Sequence, residues 1–243
     1  MPPVSRINQG LKPLLRDNPW PDFIYGEVRS FELSLDGGGR GGHEIIIDVI
    51  KKYDVKLMVE VGCFLGGSAV KWLRAKKDLT LIGVDPWDGN WAAYIETMAL
   101  DPVRSRTVWH LKEEEIALIV ACIRRYGNFC TAMNNLRIYK DRFIPVRRKI
   151  PEAFGYLRER LIEPDLVYID AGKYREDIDT AYEMFPDAII CGDDYLWPDE
   201  NGVFRMKEAV HSFAEEHNME VQHKMQTWLL VPHDEISKEK PVD

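Results

Sequence analysis

Residues 57–68 read LMVEVGCFLGGS. Apart from Glu60, the first five are apolar, and they run into Gly62. A short apolar run closed by glycine is the pattern of a strand buried on both faces of a parallel sheet. Glycine permits a sharp turn and lets other atoms approach the backbone closely. Residues 68–75 carry helical spacing, and residues 79–85, LTLIGVD, form a second buried run that ends in an acid. Strand, turn, helix and strand within about 30 residues make a βαβ unit, whose crossover is right-handed almost by rule.

Working outward, the same alternation continues. Upstream, Ile45, Ile46, Val49 and Ile50 predict a helix over 43–53. Residues 1–42, rich in Pro, Gly and polar residues and ending in a glycine-rich loop, read as an extension that helps form a substrate pocket or lid. Downstream, 86–142 is longer than a plain βα connection and reads as an insertion with helices near 91–100 and 112–133. Strands follow at 143–146, 165–170 and 188–191, helices at 150–163, 176–185 and 203–218, and a hairpin at 220–224 and 227–231. The fold class is therefore α/β: a Rossmann-like, doubly wound, mainly parallel seven-stranded sheet with an antiparallel C-terminal edge strand. The domain spans 43–233, and the charged stretch 234–243 is expected to fray.

The 243 residues are 45% hydrophobic and 30% charged, the balance of a globular protein, and the formal net charge is −8. An acidic chain lacks the basic surface that neutralises phosphates, so no nucleic-acid partner is expected. Cys63, Cys122, Cys130 and Cys191 show no metal spacing; they fit a reducing cytoplasm, with Cys63 and Cys191 as small core residues. No signal-peptide core and no membrane span are expected. Oligomeric state is not legible, and a homo-oligomer is compatible with all of this.

The candidate cofactor site is the turn holding Glu60, Gly62, Gly66 and Ser68, with Asp85 at the tip of the next strand and Trp87 just beyond. Open α/β sheets bind ligands at the carboxyl ends of their strands, and a carboxylate there accepts hydrogen bonds from both hydroxyls of a ribose. An adenosine-containing cofactor follows. A dinucleotide site wants G-x-G-x-x-G; here an acid takes the first position and the glycine spacing differs. Glu60 would repel a pyrophosphate and suit a cationic amino group. The plain alternative is a tight turn with no ligand.

The pattern E-x-G-x-x-x-G-x-S followed by a strand ending in V-D resembles the first two motifs of class I S-adenosylmethionine (SAM)-dependent methyltransferases. Residues 165–171, DLVYIDA, with Tyr174 beyond, and residues 188–195, AIICGDDY, are similar to a small-molecule O-methyltransferase branch that includes macrocin-type sugar and cephalosporin-biosynthesis enzymes. The helix at 203–218 fits the same branch, and the similarity spans roughly 44–218. The resemblance implies methyl transfer from SAM to a hydroxyl of a small-molecule acceptor. It also implies that Asp170, Asp193 and Asp194 bind a divalent metal, Mg²⁺ or Ca²⁺, that positions that hydroxyl. Elementary electrostatics agrees, since three clustered carboxylates repel unless a cation joins them. They can equally cap the helices that follow.

Related sequences often read I-D-x-x-H-x-Y, whereas this chain has Asp170, Ala171, Gly172, Lys173 and Tyr174. Asp170, Lys173 and Asp193 are thus the catalytic candidates, with Lys173 either a proton acceptor in place of the missing histidine or a solvated surface charge. Arg147, Arg148 and Lys149 read as an anion-binding patch or a solvated helix start. Trp87, Trp91 and Tyr94 can cover a ligand or pack in the core, Tyr195 and Trp197 can line the acceptor pocket, and His110 can lie over the substrate or at the surface. The competing functions are N-methylation of a small amine, a non-catalytic SAM-binding protein, and a nicotinamide-dependent oxidoreductase.

Overall fold

In the computed structural model, which describes residues 4–22, 42–100 and 113–233, the run quoted above forms the central strand, β1 (Leu57–Val61), and all five residues are buried. Around it lie β2 (Thr80–Val84), β3 (Phe143–Val146), β4 (Leu166–Ile169), β5 (Ile189–Gly192), β6 (Met219–Lys224) and β7 (Thr227–Pro232), in the order β3-β2-β1-β4-β5-β7-β6. β1 to β5 pair in parallel, and β7 is antiparallel to both β5 and β6. The antiparallel strand thus sits one place in from the edge, and β6 forms the edge itself. The reason is the hairpin: β6 closes back on β7 through a short turn, so only β7 reaches the parallel sheet.

Alternation along the strands sorts side chains onto two faces. Val59, Val61, Ile82, Val84, Val167 and Ile169 enter one core with Phe154, Ile178 and Phe213. Met58, Leu81, Leu166 and Tyr168 enter the other with Ile46, Trp72 and Leu136. Helices α2 (His43–Lys52) and α3 (Gly67–Ala75) cover this second face. Side chains also fix the register. Asp165 accepts hydrogen bonds from the backbone N–H of Lys56 (2.8 Å) and Leu57 (2.9 Å), which ties the starts of β1 and β4. The Arg142 guanidinium donates to the carbonyls of Leu73, Lys76 and Leu79, which ties the start of β3 to the end of α3 and the loop leading into β2.

Two elements differ from the expectation. Residues 4–17 form α1 (Val4–Asp17), which runs through Pro13 and docks beside β3. Leu14 is fully buried, Asn18 donates to the Tyr156 hydroxyl (2.7 Å), and Trp20 Nε1 donates to the Phe143 carbonyl (3.2 Å). The proline-rich composition hides this helix, whose support is tertiary. The insertion holds α4 (Trp91–Leu100) and α5 (Glu113–Leu136), and α5 breaks at Gly127, where φ is 82°. By length and composition α5 could cross a membrane; here its second half, including Ala132, Met133 and Leu136, is buried against the second core. The loop 36–41, His110 and the tail 234–243 lie outside the described residues.

The buried position of Leu14 generates a direct expectation. Leu14→Ala destabilises the whole domain by about 2–5 kcal/mol in denaturant unfolding. A change of a few tenths would show that α1 is peripheral to the fold.

Candidate functional site

At the end of β1 the chain bends through Gly62, with φ 86°. A Cβ there would lie 1.7 Å from the Asp170 carbonyl oxygen, so no other residue fits between the tips of β1 and β4. The Gly62 N–H donates to the Val84 carbonyl at 2.9 Å, which holds the bend against β2 as well. One residue past β2, the Asp85 carboxylate clamps the two loops together. It accepts the Phe64 N–H at 2.9 Å and the Trp87 N–H at 2.7 Å, and Trp87 Nε1 donates to the Phe64 carbonyl at 2.9 Å. Burial pushes the Asp85 carboxyl up to about 6, against the pull of those backbone donors.

Above these tips lies a cavity of about 540 Å³. Its wall includes Gly62, Phe64, Asp85, Trp91, Asp170 and Tyr174, with Arg148 and Lys149 on one side and Asp177 on another. The basic side chains are occupied: Lys149 lies 3.0 Å from Asp88, Arg148 pairs with Glu152, and Arg147 packs over the Phe129 ring. Asp177 Oδ2 is buried without a hydrogen-bond partner, and burial raises its carboxyl. The cavity wall is therefore acidic where it is polar and unpaired.

Gly62 and Asp85 reach the cavity; Glu60, Gly66, Ser68 and Trp87 are not in its wall. For Glu60 the reason is strand parity. Val61 belongs to the face on which the cavity opens, so Glu60 points to the opposite face. There it is fully buried and accepts from Trp72 Nε1 at 3.1 Å and from Ser68. It anchors α3 to β1 through Oε1, while its Oε2 is buried without a hydrogen-bond partner. Gly66 has φ 83° and faces the Leu136 side chain, so it serves the turn and its packing. Trp87 is buried against Phe129, with ring centres 5.2 Å apart. Phe64, Ile150 and Asp177 were not singled out by sequence, because their place in the wall depends on three loops converging.

The acid cluster divides in the same way. Asp170 lines the cavity, and its carboxyl is pushed well above the usual range by burial and by the charges of Asp193, Asp194 and Glu60. Asp193 is buried on the α2 side, with Oδ2 3.8 Å from His43 Nε2 and Oδ1 3.5 Å from the Thr227 hydroxyl. His43 Nε2 also lies 3.3 Å from the Tyr168 hydroxyl. Asp193 is thus a buried polar group outside the cavity wall. Asp194, with φ 65°, pairs with Lys173, Oδ2 to Nζ 3.3 Å. Tyr195 turns inward, hydrogen-bonded to His211 and stacked on His223, and does not line the cavity.

The divalent metal that the sequence resemblance implies needs several free oxygen ligands around one point. Asp193 is engaged by His43 and Thr227, and Asp194 already holds an ammonium. Among the described residues, no group of three or more His, Cys, Asp and Glu can hold a metal ion. The residues present do not fit the three-carboxylate metal site.

No protein-family model matches this chain, and no curated protein sequence matches it significantly. Among solved structures the chain is similar to the SAH-bound methyltransferase PaMTH1 of Podospora anserina, at 14% identity over 96% of this chain and 97% of that one, with a TM-score of 0.49. It is similar to the O-methyltransferase TomG of Streptomyces achromogenes, involved in tomaymycin synthesis and solved with SAM, at 16% identity, 78% and 79% coverage and a TM-score of 0.47. It is also similar to an O-methyltransferase of Bacillus cereus solved with SAH, at 12% identity, 95% and 92% coverage and a TM-score of 0.46. Likeness at this level carries no functional argument.

Burial pushes Glu60 up to about 7 from 4.5. The native chain then holds a proton that the unfolded chain releases, so this group's contribution to stability falls as pH rises from about 4.5 to 7. Glu60→Gln keeps the Trp72 hydrogen bond without the charge. Thermal unfolding at pH 5 and pH 8 should show the variant losing less stability over that interval than the wild type, by a few kcal/mol. Equal slopes would place the proton elsewhere.

Proposed function

We propose that this protein is a SAM-dependent methyltransferase that methylates a hydroxyl of a small molecule, a sugar or another secondary metabolite. The observation that carries the reading is the cavity at the tips of β1, β2 and β4, bounded by the Gly62 bend, Asp85 and Asp170. A cavity of about 540 Å³ is within the range of small-molecule sites. Its unpaired polar groups are carboxylates, which favour a cationic ligand with hydroxyl donors over a pyrophosphate. The sheet is also of the class that the sequence resemblance implies.

When bound, SAM supplies an electrophilic methyl group on a cationic sulfonium, which the acceptor oxygen takes in line. Asp85 would accept the ribose hydroxyls through the lone pairs not used by Phe64 and Trp87. Phe64 and Trp91, whose ring centres lie 4.5 Å apart, would cover the ligand and exclude water. Asp170 would take the acceptor's hydroxyl proton; its raised affinity for protons makes its ionised form a stronger base. The reaction needs no divalent ion in this reading.

Calorimetry with SAH tests the proposal. Binding is expected, and Asp85→Ala should weaken it about tenfold or more through loss of hydrogen bonds to a charged acceptor. Because burial lifts Asp85 to about 6, affinity is present above that pH and falls as pH drops through it. Asp85→Asn should flatten that pH profile. Tight NADH binding with no SAH binding would overturn the reading.

A further inference from the structure

Three carboxylates at the ends of β4 and β5 face an electrostatic problem. Desolvation, and after it the charges of Asp193 and Asp194, raise the proton affinity of the partly buried Asp170. The charge that opposes them comes from Lys173, three residues beyond Asp170 on the same loop. Its Nζ lies 3.3 Å from Asp194 Oδ2 and 4.9 Å from the centre of the Trp197 indole ring. The Trp197 backbone N–H donates to the Asp194 backbone carbonyl at 3.0 Å, a turn that keeps the two residues holding the ammonium close together. A cation gripped by a carboxylate and an aromatic face is fixed in place, unlike a solvated lysine. The Lys173 side chain is 28% exposed, and the Asp194 side chain 23%.

A divalent ion at this point would need Asp194, and Lys173 occupies it. It would also need a second and third carboxylate, and Asp193 is spent across the sheet on His43 and Thr227. We propose that the Lys173 ammonium is the resident cation of this acid cluster, standing where a divalent ion would otherwise join Asp170 and Asp194. The ammonium then offsets part of the cluster's negative charge without a metal. An ammonium has three donors, so Lys173 retains hydrogen-bonding capacity for an acceptor oxygen beside Asp170. The inference concerns the site assigned above to methyl transfer but does not rest on that reading, because metal binding is measured without cofactor or acceptor.

The test is a titration of the chelator-treated full chain with Mn²⁺, followed by the electron paramagnetic resonance signal of the free ion. The wild type should show no site at this cluster tighter than about 1 mM, the weak end of protein sites for hard divalent cations. Lys173→Ala, which frees the Asp170 and Asp194 carboxylates, should bind Mn²⁺ at least about tenfold more tightly. Adding Asp194→Asn to that variant should abolish the gain, and Lys173→Arg should behave as wild type. Should Lys173→Ala fail to fold, Lys173→Gln carries the same expectation. Micromolar Mn²⁺ binding by the wild type that Asp194→Asn removes would overturn the proposal. So would a correctly folded Lys173→Ala protein that binds no more tightly than wild type. Either result leaves the SAH calorimetry unaffected, so the two readings fail separately.

Discussion

The tips of three parallel strands meet at Gly62. Its N–H is bound to the end of β2, and its missing side chain leaves room for the Asp170 carbonyl at the end of β4. Nothing larger than hydrogen fits there, and the positive φ would strain any other residue. This close approach brings Asp85 and Asp170, which follow β2 and β4, to the wall of one cavity. The Asp85 carboxylate then closes the arrangement by accepting backbone N–H groups from the loops after β1 and β2. Carboxylates held this way are partly desolvated, which explains why their proton affinities rise despite the hydrogen bonds they accept.

Strand parity sets Glu60 apart from Val61, while Asp85, Asp170 and Asp193, each one residue past strand positions level with Val61, are sorted by the loops that carry them. Successive side chains leave a strand on opposite faces, so Val61 and Glu60 cannot both look into the cavity. Glu60 becomes a buried anchor for Trp72, and Asp193 becomes a partner for His43 and Thr227. Asp85 and Asp170 remain at the wall. These four acids therefore serve two purposes: Glu60 and Asp193 hold helices onto the sheet, and Asp85 and Asp170 shape the polarity of the cavity. Lys173 and Asp194 form the seam between these groups.

Much of the fold was legible in the chain. The bounds of β3 and of α4 agree with the expectation at both ends, and the order of strands and helices from β1 to β7 follows the apolar periodicity. The Gly62 bend and Asp85 were legible too, because a glycine after a buried strand and an acid at a strand tip have few alternative uses. What escaped depends on contacts distant in sequence. Leu14 has a partner only because β3 and the helix Glu152–Glu159 lie beside it. The break in α5 is local, at Gly127, where Arg124, Arg125 and Asn128 also interrupt the apolar run.

By itself, the amino-acid order determined the parallel sheet, the turn after its central strand and the set of acids at the strand ends, since these follow from local periodicity and from glycine and aspartate chemistry. Only the tertiary structure decided which acids share the cavity, that the antiparallel strand lies inside the edge, and that Asp194 holds Lys173 while Asp193 holds His43. The reason is that a strand's two faces are equivalent in sequence until the helices and loops packed against them make one a core and the other the floor of a site.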